Sequence, residues 1–148
     1  MTSAKTTTRE FTTRSPEETV SLGRKLAAEL NPPQLVVLTG DLGAGKTTLI
    51  KGIAEGFAAA KQEDVTSPTF TLIHEYRGKQ VNVFHIDLYR VDTQEQVFAA
   101  GLEEYFHQTD GLTVVEWAER YPLKEFRHAR IESIGETQRR ITYENPGA

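Results

Sequence analysis

The sequence predicts a single-domain, three-layer α/β fold with a mainly parallel central sheet, supplemented by an antiparallel hairpin and edge strands. Three observations predict it. Residues Gly40-Asp41-Leu42-Gly43-Ala44-Gly45-Lys46-Thr47 complete a G-x-x-x-x-G-K-[ST] phosphate-binding loop. An apolar, β-branched stretch, Gln34-Leu35-Val36-Val37-Leu38-Thr39, runs into that loop, and Leu49, Ile50, Ile53 and Phe57 follow it at helical spacing. Two later apolar segments, Val81 to Asp87 and Leu112 to Glu116, each end in a carboxylate, as parallel strands that carry ligand groups at their carboxyl ends do. Together these features specify the P-loop NTPase version of the fold.

The elements follow in order. Met1 to Glu10 is polar, and residues 1–9 are expected to be a flexible tail, with Phe11-Thr12-Thr13 as a short edge strand. Ser15-Pro16-Glu17-Glu18 opens a helix, with Ser15 as cap, Pro16 in the first turn and Glu18 completing a capping box. Val20, Leu22, Leu26, Ala27 and Leu30 supply its apolar side, and Asn31-Pro32-Pro33 stops it. After the loop helix, Lys61 to Asp64 reads as a polar break, and Val65 to Phe70 as an extended, hydroxyl-rich segment around Pro68. Phe70 to Tyr76 and Gln80 to Ile86 read as a hairpin turning at Arg77-Gly78-Lys79. Val97, Ala100, Leu102 and Phe106 give Thr93 to Gln108 a helical register, Gly111 to Trp117 returns to strand, and residues 130–134 and 140–143 alternate like two half-exposed strands.

The loop's chemistry depends on its residue types. Gly40, Gly43 and Gly45 let successive N–H groups turn inward around a phosphate, a cradle in which Asp41 and Ala44 also take part, and the following helix adds its positive end at Thr47 and Thr48. Lys46 can span the β and γ phosphates, and the Thr47 hydroxyl suits Mg²⁺. Asp87 stands where a second Mg²⁺ anchor belongs; a helix cap or surface turn is its plainer use. Glu116 would face the same rim, to orient the attacking water, accept its proton or hold a metal-bound water, against the plainer reading of a structural ion pair. Trp117 is open between an adenine-stacking plate, a partner contact and a core residue. Thr66, Ser67 and Thr69 could reach Mg²⁺ or the γ-phosphate as a switch segment, or be an ordinary polar loop. Tyr89 and Arg90 could brace the loop or approach phosphate, while His74 and His85 lack metal-site spacing and read as structural.

Composition excludes other classes. A chain of 148 residues is the size of one domain, and its 38% hydrophobic and 26% charged content is that of a globule rather than a disordered or membrane chain. No apolar run approaches membrane-spanning length and the start lacks a signal-peptide core, so a cytoplasmic location and no membrane partner are expected. The absence of cysteine removes disulfides, thiolate metal sites and cysteine nucleophiles. A net charge of −4 would repel a polyanion, and the locally basic tail with Arg127, His128, Arg130, Arg139 and Arg140 is interleaved with glutamates, as on a solvated surface.

Residues 40–48, Thr66-Ser67-Pro68-Thr69-Phe70-Thr71-Leu72, His85-Ile86-Asp87-Leu88-Tyr89-Arg90 and Val115-Glu116-Trp117 together resemble the bacterial TsaE (YjeE) family over about residues 10–120. The resemblance implies a small Mg²⁺-dependent ATPase, over residues 10–148, of the pathway that makes N6-threonylcarbamoyladenosine next to the anticodon of tRNA. It implies ATP and ADP as ligands and the TsaD–TsaB pair as partner, reset by ATP hydrolysis, with only indirect contact to tRNA and at most weak self-association. It carries catalytic roles to Lys46, Asp87 and Glu116, metal roles to Thr47, Asp87, Glu116 and Thr69, a switch-like role to Ser67 and Thr69, and a place at the functional face to Trp117. Ala118 stands where the family often has proline, and Leu123 to Ala148 matches no motif.

Three other functions use the same loop. A small-molecule kinase would need a lid and an acceptor pocket, for which the roughly 25 residues between Asp87 and Leu112 leave little room. A GTPase would need a guanine-reading Asn-Lys-x-Asp segment, which does not occur. A nucleotide-dependent binding module with incidental hydrolysis differs from an ATPase in whether Glu116 serves turnover.

Overall fold

In the computed structural model the described residues are 7–30, 34–40, 44–66, 72–79, 81–88, 93, 95, 103–106, 111–117 and 126–145. Their elements are β1 (Thr7–Thr13), α1 (Pro16–Ala27), β2 (Gln34–Thr39), α2 (Lys46–Gly56), β3 (Ala60–Thr66), β4 (Leu72–Arg77), β5 (Val83–Asp87), α3 (Glu103–Phe106), β6 (Leu112–Glu116), β7 (Phe126–Ser133) and β8 (Arg139–Asn145). The strands form one sheet of eight, in the order β1-β8-β7-β2-β6-β5-β4-β3. The middle four, β7, β2, β6 and β5, run parallel, and antiparallel strands flank them on both sides. This is the mixed α/β sheet with a parallel centre that the three opening observations predict.

Of the parallel strands, β2, β5 and β6 are largely buried on both faces, which is why they read as apolar runs, whereas β7 alternates buried Ala129 and Ile131 with exposed Arg130 and Glu132. On one face Val36, Leu38, Leu112, Val114, Ala129 and Ile131 pack against Leu22, Leu26, Leu49, Ile50 and Ile53 of the two long helices. On the other, the Thr113 hydroxyl donates to the Tyr105 carbonyl at 2.6 Å, and the Phe84 and Tyr105 rings lie 5.2 Å apart. Ser15 caps α1 as its sequence predicts, its side chain accepting from the Glu18 N–H at 3.1 Å.

The two long helices approach closely because glycine meets glycine. A Cβ on Gly52 would lie 2.1 Å from the Val20 carbonyl oxygen and 3.0 Å from the Gly23 Cα, and one on Gly23 would lie 2.5 Å from the Leu49 oxygen. Alanine at an open helical site gains up to about 1 kcal/mol over glycine. Here the obstacle is backbone, so overpacking wins, and Gly52→Ala is expected to destabilise the fold by about 2 kcal/mol. A lower urea midpoint checks this; an unchanged or raised midpoint would refute the contact.

Two expectations need correction. Residues 7–9, assigned to a flexible tail, are paired strand: Thr7 sits opposite Asn145 and Arg9 opposite Tyr143. Edge-strand ladder bonds, together with Arg9 lying 2.5 Å from Glu29 and 5.7 Å from the Tyr143 ring centroid, hold a segment whose polarity alone suggests disorder. Lys61 to Asp64, read as a polar break, belongs to β3, paired with β4 across a bulge between Lys61 and Glu63. An edge strand needs no apolar alternation, and charge on it blocks pairing with other chains. The 77–79 turn joins antiparallel β4 and β5 as expected. The Asn31-Pro32-Pro33 stop lies outside the described residues, as does the predicted helix of residues 93–108 apart from Thr93, Glu95 and α3. Among the described residues no helix is long and apolar enough to cross a membrane.

Candidate functional site

The strand order brings three carboxyl ends together. Leu38 of β2 lies in register with Glu116 of β6, which lies in register with Asp87 of β5, all on the sheet face that the helices cover. The loop leaving β2 returns as α2, whose cap is Gly45 with φ at +103°, a left-handed conformation that side chains resist. Among the described residues no side chain caps this helix start, and unpaired N–H groups at a helix start are the kind of donors that an anion takes up.

Lys46 is buried at the first position of α2. Its ammonium donates to the Gly40 carbonyl at 2.7 Å, sits 3.3 Å from Glu116 Oε1 and lies 4.8 Å from the centroid of the Trp117 ring. Protein groups thus supply the contacts that a phosphate would take over. Trp117 reaches this position from a left-handed backbone, φ +60°, a conformation that costs a non-glycine residue about 1–3 kcal/mol.

Glu116 divides its oxygens. Oε1 faces Lys46, and Oε2 bonds His85 Nε2 in a buried, short contact. His85 Nδ1 is buried without a hydrogen-bond partner among the described residues, and its ring stacks on His74 with centroids 5.1 Å apart. His85, read as structural from the sequence, is in direct contact with the candidate residue Glu116. Its signal was present: His85 and Asp87 are two apart in one strand and so share a face.

Burial pushes the Glu116 carboxyl up, but the hydrogen bond and positive field of His85, together with the charge on Lys46, outweigh it and hold the group below the ordinary carboxylate range. A carboxyl held low in the folded chain gives stability that is full above its unfolded value of 4.5 and is lost as pH falls through the lowered folded value. In nucleotide-free protein, Glu116→Gln is therefore expected to lower the urea midpoint at pH 7, with the gap to wild type closing on acidification below about pH 4.5. His128 is also held low, because burial and Arg130 outweigh Glu144, and its contribution fades as pH falls from 6.5; being common to both proteins, it cancels in the difference. A gap that stays constant across this range would contradict the ion pair.

Thr47 is exposed and Thr48 half-buried at the start of α2, while Asp87 is half-buried at the end of β5. Among the described residues no three His, Asp or Glu side chains converge on a metal position. Mg²⁺ does not require such a cage, since one or two carboxylates and a hydroxyl suffice when phosphates and water complete its shell. Thr47, Asp87 and Glu116 offer a donor set of that kind. Asp41, Gly43, Ser67, Thr69, Tyr89 and Arg90, all expected in or near the site, lie outside the described residues, as does the side chain of Thr66.

The basic tail has partners. Arg127 donates to the Glu29 carbonyl at 3.3 Å and the Tyr143 hydroxyl at 3.0 Å, His128 bonds Thr39 at 2.9 Å, and Arg140 lies 3.5 Å from Glu10. Arg139 reaches the phosphate loop itself, its Nε donating to the Ala44 carbonyl at 2.8 Å. Nothing in its local sequence marks that contact.

Known proteins resemble this chain in sequence and in fold. The model of the family described as "Threonylcarbamoyl adenosine biosynthesis protein TsaE" matches residues 13–142. A tRNA threonylcarbamoyladenosine biosynthesis protein TsaE from Bacillus subtilis is 39% identical over 90% of this chain and 84% of its own length. One from a Nostoc species is 42% identical over 73% of this chain and 67% of its own. The crystal structure of Bacillus subtilis YdiB superposes with a TM-score of 0.73 at 34% identity, covering 98% of this chain and 90% of that one. On the sequence match and the shared fold alike, the chain belongs to the TsaE family of threonylcarbamoyl adenosine biosynthesis proteins.

Proposed function

We propose that this chain is a Mg²⁺-dependent ATPase that binds a TsaD–TsaB pair and resets it between rounds of threonylcarbamoyladenosine formation on tRNA. The observation that supports the reading best is the buried Lys46, held against Glu116 at an uncapped helix start beside the carboxyl ends of three strands. In this reading residues 10–148 are the ATPase domain, and its partners touch tRNA in its place.

Each residue has a definite task. Lys46 exchanges Gly40 and Glu116 for the β and γ phosphates, and backbone N–H groups from Asp41, Gly43, Ala44, Gly45 and Thr48 complete the cradle. Thr47 and Asp87, with Thr69 and Glu116 as further oxygen donors, would hold Mg²⁺, which when bound neutralises charge building up on the phosphates. Glu116, once Lys46 has moved to phosphate, keeps its bond to His85 and takes the proton of the attacking water or orients it. Trp117, standing against Lys46, belongs to the nucleotide-binding set.

Phosphate release from ATP with no added acceptor, together with ATP and GTP competition for binding, tests the enzymatic half. The expected result is slow, Mg²⁺-dependent release and preference for ATP. Turnover that appears only when a small-molecule acceptor is supplied would replace the ATPase by a kinase, and preference for GTP would overturn the nucleotide assignment.

A further inference from the structure

The C-terminal hairpin, which carries no motif, backs the phosphate loop. A Cβ on Gly40 would lie 2.5 Å from the Ile131 carbonyl oxygen, and one on Gly45 would lie 3.3 Å from the Ile131 Cδ1 and 3.7 Å from the Arg139 Nε. Both described ends of the loop therefore lean on β7 and β8.

Arg139 makes the polar part of this contact. While its Nε donates to the Ala44 carbonyl at 2.8 Å, its Nη1 donates to the carbonyls of Gln138 at 2.9 Å, Gly135 at 3.1 Å and Glu136 at 3.4 Å. The turn is itself closed by a bond from the Ile134 N–H to the Gln138 carbonyl at 3.1 Å, and the Ser133 hydroxyl donates to Gly135 at 3.2 Å. A long side chain that would ordinarily be mobile is thus clamped along its guanidinium, and its planar fork suits several acceptors at once.

The consequence for the loop follows from peptide geometry. In a trans peptide the C=O of one residue and the N–H of the next point in opposite directions. Drawing the Ala44 oxygen outward to Arg139 turns the Gly45 N–H to the opposite side, away from the hairpin. Gly45 needs such a restraint more than most residues, because glycine has the widest choice of conformations to lose. We infer that Arg139 is a positioning residue for the phosphate cradle, holding the Ala44–Gly45 peptide in its anion-binding orientation and so giving the C-terminal hairpin a part in nucleotide affinity. The inference rests on the phosphate-binding reading of residues 40–47.

Equilibrium binding of ATP and ADP to wild type, Arg139→Ala, Arg139→Lys, Arg140→Ala and Lys46→Ala tests it, with urea unfolding and amide hydrogen exchange at Gly45 on the same proteins. Loss of one charge-assisted hydrogen bond at a preorganised loop is expected to raise Kd about tenfold in Arg139→Ala and to speed exchange at Gly45. Arg139→Lys should recover only part of the loss, since an ammonium has three donors on one nitrogen and lacks the planar fork by which Nε meets Ala44 while Nη1 meets the turn. Arg140→Ala, which removes the same charge one residue away, should bind like wild type. Wild-type affinity in Arg139→Ala, or equal weakening in Arg140→Ala, would overturn the proposal. Should Arg139→Ala not fold, Arg139→Lys decides: wild-type affinity and Gly45 exchange there would overturn it too. If Lys46→Ala binds nucleotide as wild type does, the phosphate-binding reading fails instead, which is a separate result.

Discussion

Lys46→Ala is expected to lower Mg²⁺-dependent ATP turnover by about 10²–10³-fold, the usual cost of removing one preorganised donor to developing charge. It should also weaken nucleotide binding, because the ammonium would meet the phosphates in ground and transition states alike. The same change strips Glu116 of one of its two partners among the described residues, leaving His85 as the other. Breaking a fully buried pair costs about 3–5 kcal/mol, and the surviving His85 bond should bring the loss towards the lower end. Turnover and urea midpoint are therefore expected to fall together. Addition of Glu116→Gln to Lys46→Ala separates the effects: the double variant should regain stability, since no uncompensated charge is left, and regain no activity. If the double variant is less stable than Lys46→Ala, the ion pair is not what connects the two residues.

Glu116→Ala should produce a different signature. Turnover should fall by about 10²–10⁴-fold, the range for a lost general base, while ATP affinity stays close to wild type or rises. The rise has a specific cause: with Glu116 gone, Lys46 has one competitor fewer for phosphate, and among the described residues the Gly40 carbonyl and the Trp117 ring remain. ATP-dependent association with TsaD–TsaB should survive. A combined loss of turnover, affinity and partner binding would make Glu116 a structural group and refute its assignment to chemistry.

What could be read in the chain before its fold was local. The strand, glycine loop and helix from residue 34 to 57 are contiguous, so their pattern carries its own context. Asp87 and Glu116 could be placed at strand ends by the apolar runs before them, but their standing in register depends on β6 lying between β2 and β5, an order that no single segment specifies. The His85–Glu116 contact is hidden for the same reason: its partners are 31 residues apart and on different strands. Arg139 lies 95 residues from Ala44, in a tail whose alternating charges look like solvated surface. Residues 61–64 were missed as strand because an edge position rewards charge rather than alternation. For Asp87, Glu116, His85 and Arg139 the missing information is a long-range pairing, which periodicity within a segment does not carry.

Whether this chain is the proposed partner-activated ATPase of the threonylcarbamoyladenosine pathway is decided by Mg²⁺-dependent ATP hydrolysis measured with the chain alone and with purified TsaD–TsaB, Lys46→Ala serving as control. Slow hydrolysis alone, clear stimulation by the pair and loss of both in the control are expected. No stimulation, and no ATP-dependent association with the pair, would contradict it.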